Sequence, residues 1–305
     1  MKMKLTGTFI QPICGGDTPV MNWSRAEWDR EFAVMKELGI DTVILLRLFL
    51  DDWMAYDSPC LKRLENAIPT QLDYVDLFLS LAEKHGIRLF VPTYSPMHDW
   101  LLATYDPKKE FAAFKELVDE IWSRYGHRKA FGGWYFAQEI SGADSFLVAE
   151  LFQMLGKYVK SVSGSLPILT SPGMRKAIGA AEHEKQWDYL LDIMEGAVDI
   201  IAFQDGHVSF HQLEEYQTVN VKLVRRHGME VWSNVESFDR QIIPKFQPIA
   251  WDKLRFKLNC AVRTGHDKLI TYEFTPFLSP YGCYKTWTES LLARYREWCE
   301  TESRS

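Results

Sequence analysis

KELGIDTVILL (residues 36–46) joins two patterns at a single glycine. Upstream of Gly39, Trp28, Phe32, Met35 and Leu38 recur at helical spacing. Downstream, TVILL is short, apolar and rich in β-branched residues, the mark of a buried strand. A glycine just past a helix takes the left-handed conformation at no steric cost, so Gly39 reads as a helix stop. The same order returns in EKHGIRLFVPTY (83–94), SRYGHRKAFGGWYF (123–136), SVSGSLPILT (161–170), MEGAVDIIAF (194–203), RRHGMEVWSNV (225–235) and VRTGHDKLITYEF (262–274). The glycines are Gly86, Gly126, Gly164, Gly196, Gly228 and Gly265. With an opening strand at LTGTFIQPI (5–13), these junctions predict eight strands alternating with helices.

The intervening segments carry the helical period. Leu72, Val75, Leu79 and Ala82 make one face, Trp187, Leu190, Leu191 and Met194 another, and a last helix is expected over 284–299. Strand–helix alternation of this length predicts an α/β fold, a parallel sheet closed into a single (β/α)8 TIM barrel spanning 1–305 as one domain. An open doubly wound sheet is the alternative; no Gly-rich phosphate loop follows the first strand to favour it.

Composition narrows the function classes. The chain has 305 residues, 47% hydrophobic and 25% charged, with net charge −6 and no basic block, which argues against a nucleic-acid surface. Five scattered cysteines form no C-x-x-C pair, so neither a zinc ribbon nor a disulfide framework is expected. The opening MKMKLTGTFIQPIC has no long apolar run, so a signal peptide, a membrane span and a membrane partner are not expected and the cytoplasm is the expected compartment.

In a barrel of this kind chemistry sits at the C-terminal ends of the strands. The long strand-to-helix loops there, 14–23, 51–70, 96–107 and 274–283, carry Trp23, Trp53, Tyr56, Trp100, Tyr105, Phe274, Phe277 and Tyr281, aromatics suited to stacking on sugar faces. The strand ends present Gln11, Arg47, Tyr94, Gln138 and Glu139, Thr170 and Ser171, Gln204 and Asp205, Asn234 and Glu236, and Tyr272 and Glu273. Arg47, Glu236 and Glu273 stand at one offset from Gly39, Gly228 and Gly265, which suggests a shared height; Asp205 is one residue further on.

A lone carboxylate at a strand tip is more often solvated than catalytic. Several on one rim change that balance, because crowded like charges raise a pKa and create a proton donor. Arg47 in an apolar run needs a partner, and a rim carboxylate is the expected one. No nucleophile-elbow pattern surrounds Ser171 or Ser237, and His98, His207 and His211, near loops, each read as a surface residue or a hydrogen-bonding partner.

The chain resembles the clan-A glycoside hydrolases, (β/α)8 barrels with Glu at the ends of strands 4 and 7. It is most similar to a bacterial branch of glycoside-hydrolase-like barrels of unknown function. The shared phrases are GTFIQP (7–12), the segment from Trp28 to Ile44, GWYFAQEI (133–140), DIIAFQDG (199–206) and NVESFD (234–239). The resemblance implies Glu139 as acid/base and Glu236 as nucleophile of a retaining hydrolase, with Arg47 orienting or balancing the nucleophile and no cofactor or metal. Gln11, Tyr94, Trp100, Gln138, Gln204, Asp205, Asn234, Tyr272 and Glu273 are the expected substrate-binding residues, and a carbohydrate the expected partner. Gln138 departs from the Asn usual before the strand-4 Glu; it offers the same amide on a longer arm. Two rival readings stand beside this one. Glu139, Asp205, Glu236 and Glu273, with His207, could ring a divalent ion as in sugar isomerases and epimerases. Alternatively, the barrel binds carbohydrate without cleaving it.

Overall fold

A computed structural model describes residues 3–13, 19, 21–95, 105–240 and 245–301. Eight parallel strands close a barrel: β1 (Leu5–Ile10), β2 (Thr42–Leu45), β3 (Arg88–Pro92), β4 (Phe131–Phe136), β5 (Ile168–Thr170), β6 (Ile200–Gln204), β7 (Glu230–Glu236) and β8 (Lys268–Tyr272). Each pairs with its neighbour in sequence, and β8 closes on β1 through Leu5↔Leu269 and Thr8↔Thr271. The outer ring is α1 (Arg25–Leu38), α2 (Tyr74–His85), α3 (Pro107–Tyr125), α4 (Phe146–Ser163), α5 (Gly179–Met194), α6 (Phe210–Arg226), α7 (Trp251–Thr264) and α8 (Lys285–Thr301).

Six of the seven junction glycines have positive φ, from 63° at Gly86 to 90° at Gly39. Gly126 does not: its φ is −60°, and its N–H donates to Trp122 O. HRKAF lengthens this junction, so the chain continues through one more right-handed turn, closed by Arg128 N to Tyr125 O, before β4 begins.

Strand residues alternate between two cores, as the period of two requires. Phe9, Ile44, Phe90, Tyr135, Leu169, Ala202, Trp232 and Ile270 fill the barrel interior. Their neighbours Ile10, Val43, Leu45, Leu89, Val91, Trp134, Phe136, Val231 and Leu269 face the helices. The double glycine in FGGWYF belongs to this packing: a Cβ on Gly133 would stand 2.5 Å from the Phe90 ring, which itself meets Trp232 edge-on at 6.1 Å.

The strand-to-helix loops hold small elements of their own. Phe49–Leu50, Trp53–Met54 and Ile68–Pro69 form a three-stranded sheet around the helix Pro59–Glu65. Beyond β7, Phe238–Arg240 pairs antiparallel with Phe246–Pro248. Among the described residues no helix is long and apolar enough to cross a membrane.

Candidate active site

A cleft of about 350 Å³ opens at the C-terminal mouth of the barrel. Its wall continues the interior parity of the strands. Phe9 leads to Gln11, Tyr135 to Glu139, Leu169 to Ser171, Ala202 to Gln204, Trp232 to Asn234 and Glu236, and Ile270 to Tyr272; each of these ends lines the cleft. The strands thus bring Glu139 and Glu236 into one cavity, with Gln11, Arg47, Gln204, Asn234 and Tyr272 around them.

Glu236 is buried, 2% exposed, and it is held from several sides. Arg240 donates to its two oxygens at 3.0 and 3.4 Å. The Gly206 backbone lies against the carboxylate so closely that a Cβ there would fall 1.6 Å from Oε2. The Glu236 N–H donates to Asp205 Oδ1 at 2.9 Å, and Lys257 donates both to that oxygen at 2.7 Å and to Glu236 O at 3.2 Å. Arg240 also donates through Nη2 to His207 Nε2 at 3.0 Å. A guanidinium cannot accept, so Nε2 carries the lone pair and the neutral His207 proton sits on Nδ1. Arg240 lies over the Phe238 and Phe246 rings at 4.9 and 5.8 Å, which fixes its plane.

Glu139 is exposed at the mouth and accepts from Gln204 Nε2 at 3.3 Å, while the same nitrogen donates to Ser171 O at 2.8 Å. Asn234 Nδ2 donates to Ser171 Oγ at 3.1 Å, and its Oδ1 is left buried and unbonded. Gln11 Nε2 donates to the Tyr272 hydroxyl at 2.5 Å and to Glu273 Oε1 at 3.0 Å.

Four expected binding residues do not reach the cleft wall. Gln138, Asp205 and Glu273 have the parity of the outward-facing residues, so they are buried behind the strand ends. Gln138 donates to Tyr94 O at 3.1 Å. Asp205 is ion-paired with Lys257; burial pushes its carboxyl up to about 6, against the lowering pull of that ammonium. Glu273 is driven well above the usual carboxylate range by burial, with Gln11 and Arg47 opposing. Tyr94 turns away at the end of its strand: its hydroxyl donates to Glu65 and its ring packs on Phe114. Trp100 and His98 lie outside the described residues.

Arg47 lines the cleft but pairs with no carboxylate among the described residues, contrary to the expected rim partner: Glu236 is paired with Arg240, and Glu273 Oε1 accepts from Gln11. The cation on Glu236 is Arg240, unmarked in the sequence because it reaches the carboxylate only after the chain bends at Ser237 into the hairpin. His207, read as a surface residue or a hydrogen-bonding partner, stands on the cleft wall and bonds to Arg240. Among the described residues the cleft aromatics are Phe9, Tyr135, Phe238, Phe246 and Tyr272, while Tyr56, Tyr105, Phe274 and Phe277 of the expected loop aromatics are buried in the core. The four acids do not assemble as a metal ring. Among the described residues one set of side chains lies close enough to share an ion, Asp192, Glu195 and His227, at the C-terminal end of α5.

The architecture has many counterparts. A solved structure described as a "putative alpha-L-fucosidase", from Bacteroides thetaiotaomicron, is 40% identical, with TM-score 0.90 over 98% of this chain and 96% of its own. The endo-1,4-beta-D-mannanase of Thermotoga petrophila aligns over 96% of this chain and 99% of its own at TM-score 0.59 and 13% identity. The intracellular xylanase of Thermoanaerobacterium saccharolyticum aligns over 89% and 88% at TM-score 0.53 and 10% identity. The last two share the fold, and together the three place the chain among glycoside-hydrolase-like TIM barrels. No protein with a curated description matches in sequence. Residues 5–284 match one family along nearly the whole barrel, and the chain belongs to it: DUF4434, a domain of unknown function.

Proposed function

We propose that the protein is a retaining glycoside hydrolase using Glu236 and Glu139. The observation that carries this reading is that both carboxyl groups, from the ends of β7 and β4, line the same cleft. In the first step Glu236 attacks the anomeric carbon while Glu139 gives its proton to the departing oxygen. In the second, Glu139 takes a proton from water, and the hydroxide displaces Glu236 and releases the sugar. The two environments suit the two roles. Glu236 is buried, clamped through its own N–H and C=O by Asp205 and Lys257, and paired with Arg240, as an oriented ionised nucleophile should be. Glu139 is open to the mouth, where leaving group and water pass. Gln204, Asn234 and Gln11 supply amides for sugar hydroxyls.

A panel of 4-nitrophenyl glycosides tests the activity, with the α-L-fucoside included because of the Bacteroides neighbour. For a cleaved substrate, E236A and E139A should each lose at least about 10³-fold in kcat. Azide should rescue E236A as the glycosyl azide of inverted configuration, and proton NMR of the first wild-type product should show retention. An inverted first product ends the retaining mechanism. Sugar binding without turnover across the panel favours the non-catalytic barrel.

A further inference from the structure

Among the described residues, the cleft wall carries one cation that the proposed chemistry leaves unused. Arg240 is committed to Glu236. Arg47 is half-buried on the cleft wall, its Nε buried and unbonded, and among the described residues no carboxylate pairs with its guanidinium. The acids near it do not supply a lasting counter-charge. Burial drives Glu273 toward its neutral form, and its Oε1 is taken by Gln11. Arg47 lines the same cleft as Tyr135, Glu139 and Glu236. Glu139 accepts from Gln204 and not from Arg47, and under the mechanism above, on which this inference rests, it serves as the proton donor to the leaving oxygen. Glu236 spends its charge on Arg240. Arg47 is therefore the uncompensated charge at the moment of binding, and a partly desolvated guanidinium without a partner is costly.

We infer that the cleft takes an anionic sugar, a uronate, whose carboxylate pairs with Arg47. The planar guanidinium fork matches a carboxylate with two parallel hydrogen bonds, a geometry that neutral hydroxyls do not exploit. Gln11, Gln204 and Asn234, uncharged on the same wall, suit the ring hydroxyls of that sugar. A neutral hexose would fill the volume and leave Arg47 unpaired.

Calorimetric titration of the wild-type protein reads binding without turnover, because a free monosaccharide has no glycosidic bond to cleave and Arg240 stays paired with Glu236. The probes are sodium D-glucuronate and D-galacturonate, glucose 6-sulfate and glucose 6-phosphate, each against neutral D-glucose or D-galactose. At least one uronate should bind about ten-fold or more tightly than its neutral parent, the preference shrinking with added salt. R47M should bring that ratio to about one, and R47K should restore part of it. The folded state of each variant is checked by its melting temperature. If no uronate exceeds its neutral parent, or the preference survives R47M, the inference is wrong. Preference for the sulfate or phosphate over both uronates overturns the carboxylate assignment. Uronate selectivity with no hydrolysis of any aryl uronide sinks the hydrolase reading and leaves this one standing; hydrolysis of neutral glycosides without uronate selectivity does the reverse.

Discussion

Glu236 depends on a residue with no side chain. Its carboxylate occupies the space that a Cβ on Gly206 would need, so Gly206→Ala must displace the carboxylate or the β6 end. Misplacing a reacting group by about 1 Å costs on the order of 100-fold in rate, and G206A is expected to lose about that much in kcat while its circular dichroism stays native. Full activity in G206A would show that the carboxylate works from another position. At this scale the sequence was readable in part. Glu139 and Glu236 stood out because each ends an apolar run. Arg240 carried no such mark, since contact between residues four apart needs a bend that composition does not announce.

At the level of elements, the site is a joint between three of them. Lys257 projects from α7 to Asp205 at the end of β6 and to the Glu236 carbonyl at the end of β7. Lys257→Met would remove the ammonium that holds the Asp205 carboxyl down, so the buried acid would take up a proton near neutral pH and the contact to Glu236 O would be lost, a loss toward the low end of roughly 3–5 kcal/mol. Urea unfolding should register that loss, and activity should fall with it as Glu236 loosens; a double variant, K257M with D205N, should recover most of the stability. An unchanged midpoint in K257M would mean the pair does not hold these strands. The glycine punctuation located every helix-to-strand junction. It overstated one, Gly126, where five extra residues let the helix wind on right-handed.

The whole molecule carries a pH dependence in its interior acids. Glu31 on α1 is fully buried, bonded to the Thr275 hydroxyl and to Ser279 Oγ at 2.6 Å, and burial pushes its carboxyl up to about 7. A folded-state pKa above the unfolded value means that the folded protein holds the proton more tightly. Its stabilising effect is complete below about 4.5 and is lost as pH rises through about 7. The difference is on the order of 3 kcal/mol. Stability should therefore fall between pH 5 and pH 8, and Glu31→Gln, which cannot ionise, should show a shallower fall in melts at the two pH values. Equal slopes in the two proteins would remove Glu31 as the cause.

Hydrophobic period and glycine stops determined the barrel, because both are local: a helix face and a helix end are written within a few residues. The same counting suggested a shared height for the strand ends. It did not set their face. Arg47, Asp205, Glu236 and Glu273 shared or nearly shared an offset, yet Arg47 and Glu236 line the cleft while Asp205 and Glu273 lie behind it. Strand parity could have separated Gln138, Asp205 and Glu273 from Glu139 and Glu236, since alternate side chains point to opposite sides. Two features belonged to tertiary structure alone. Arg240 meets Glu236 only across the bend into the hairpin, and among the described residues Arg47 pairs with no carboxylate while Glu236 is held by Arg240 and Glu273 by Gln11. Which charges meet depends on contacts between distant strands and loops, and those exist only once the barrel has closed.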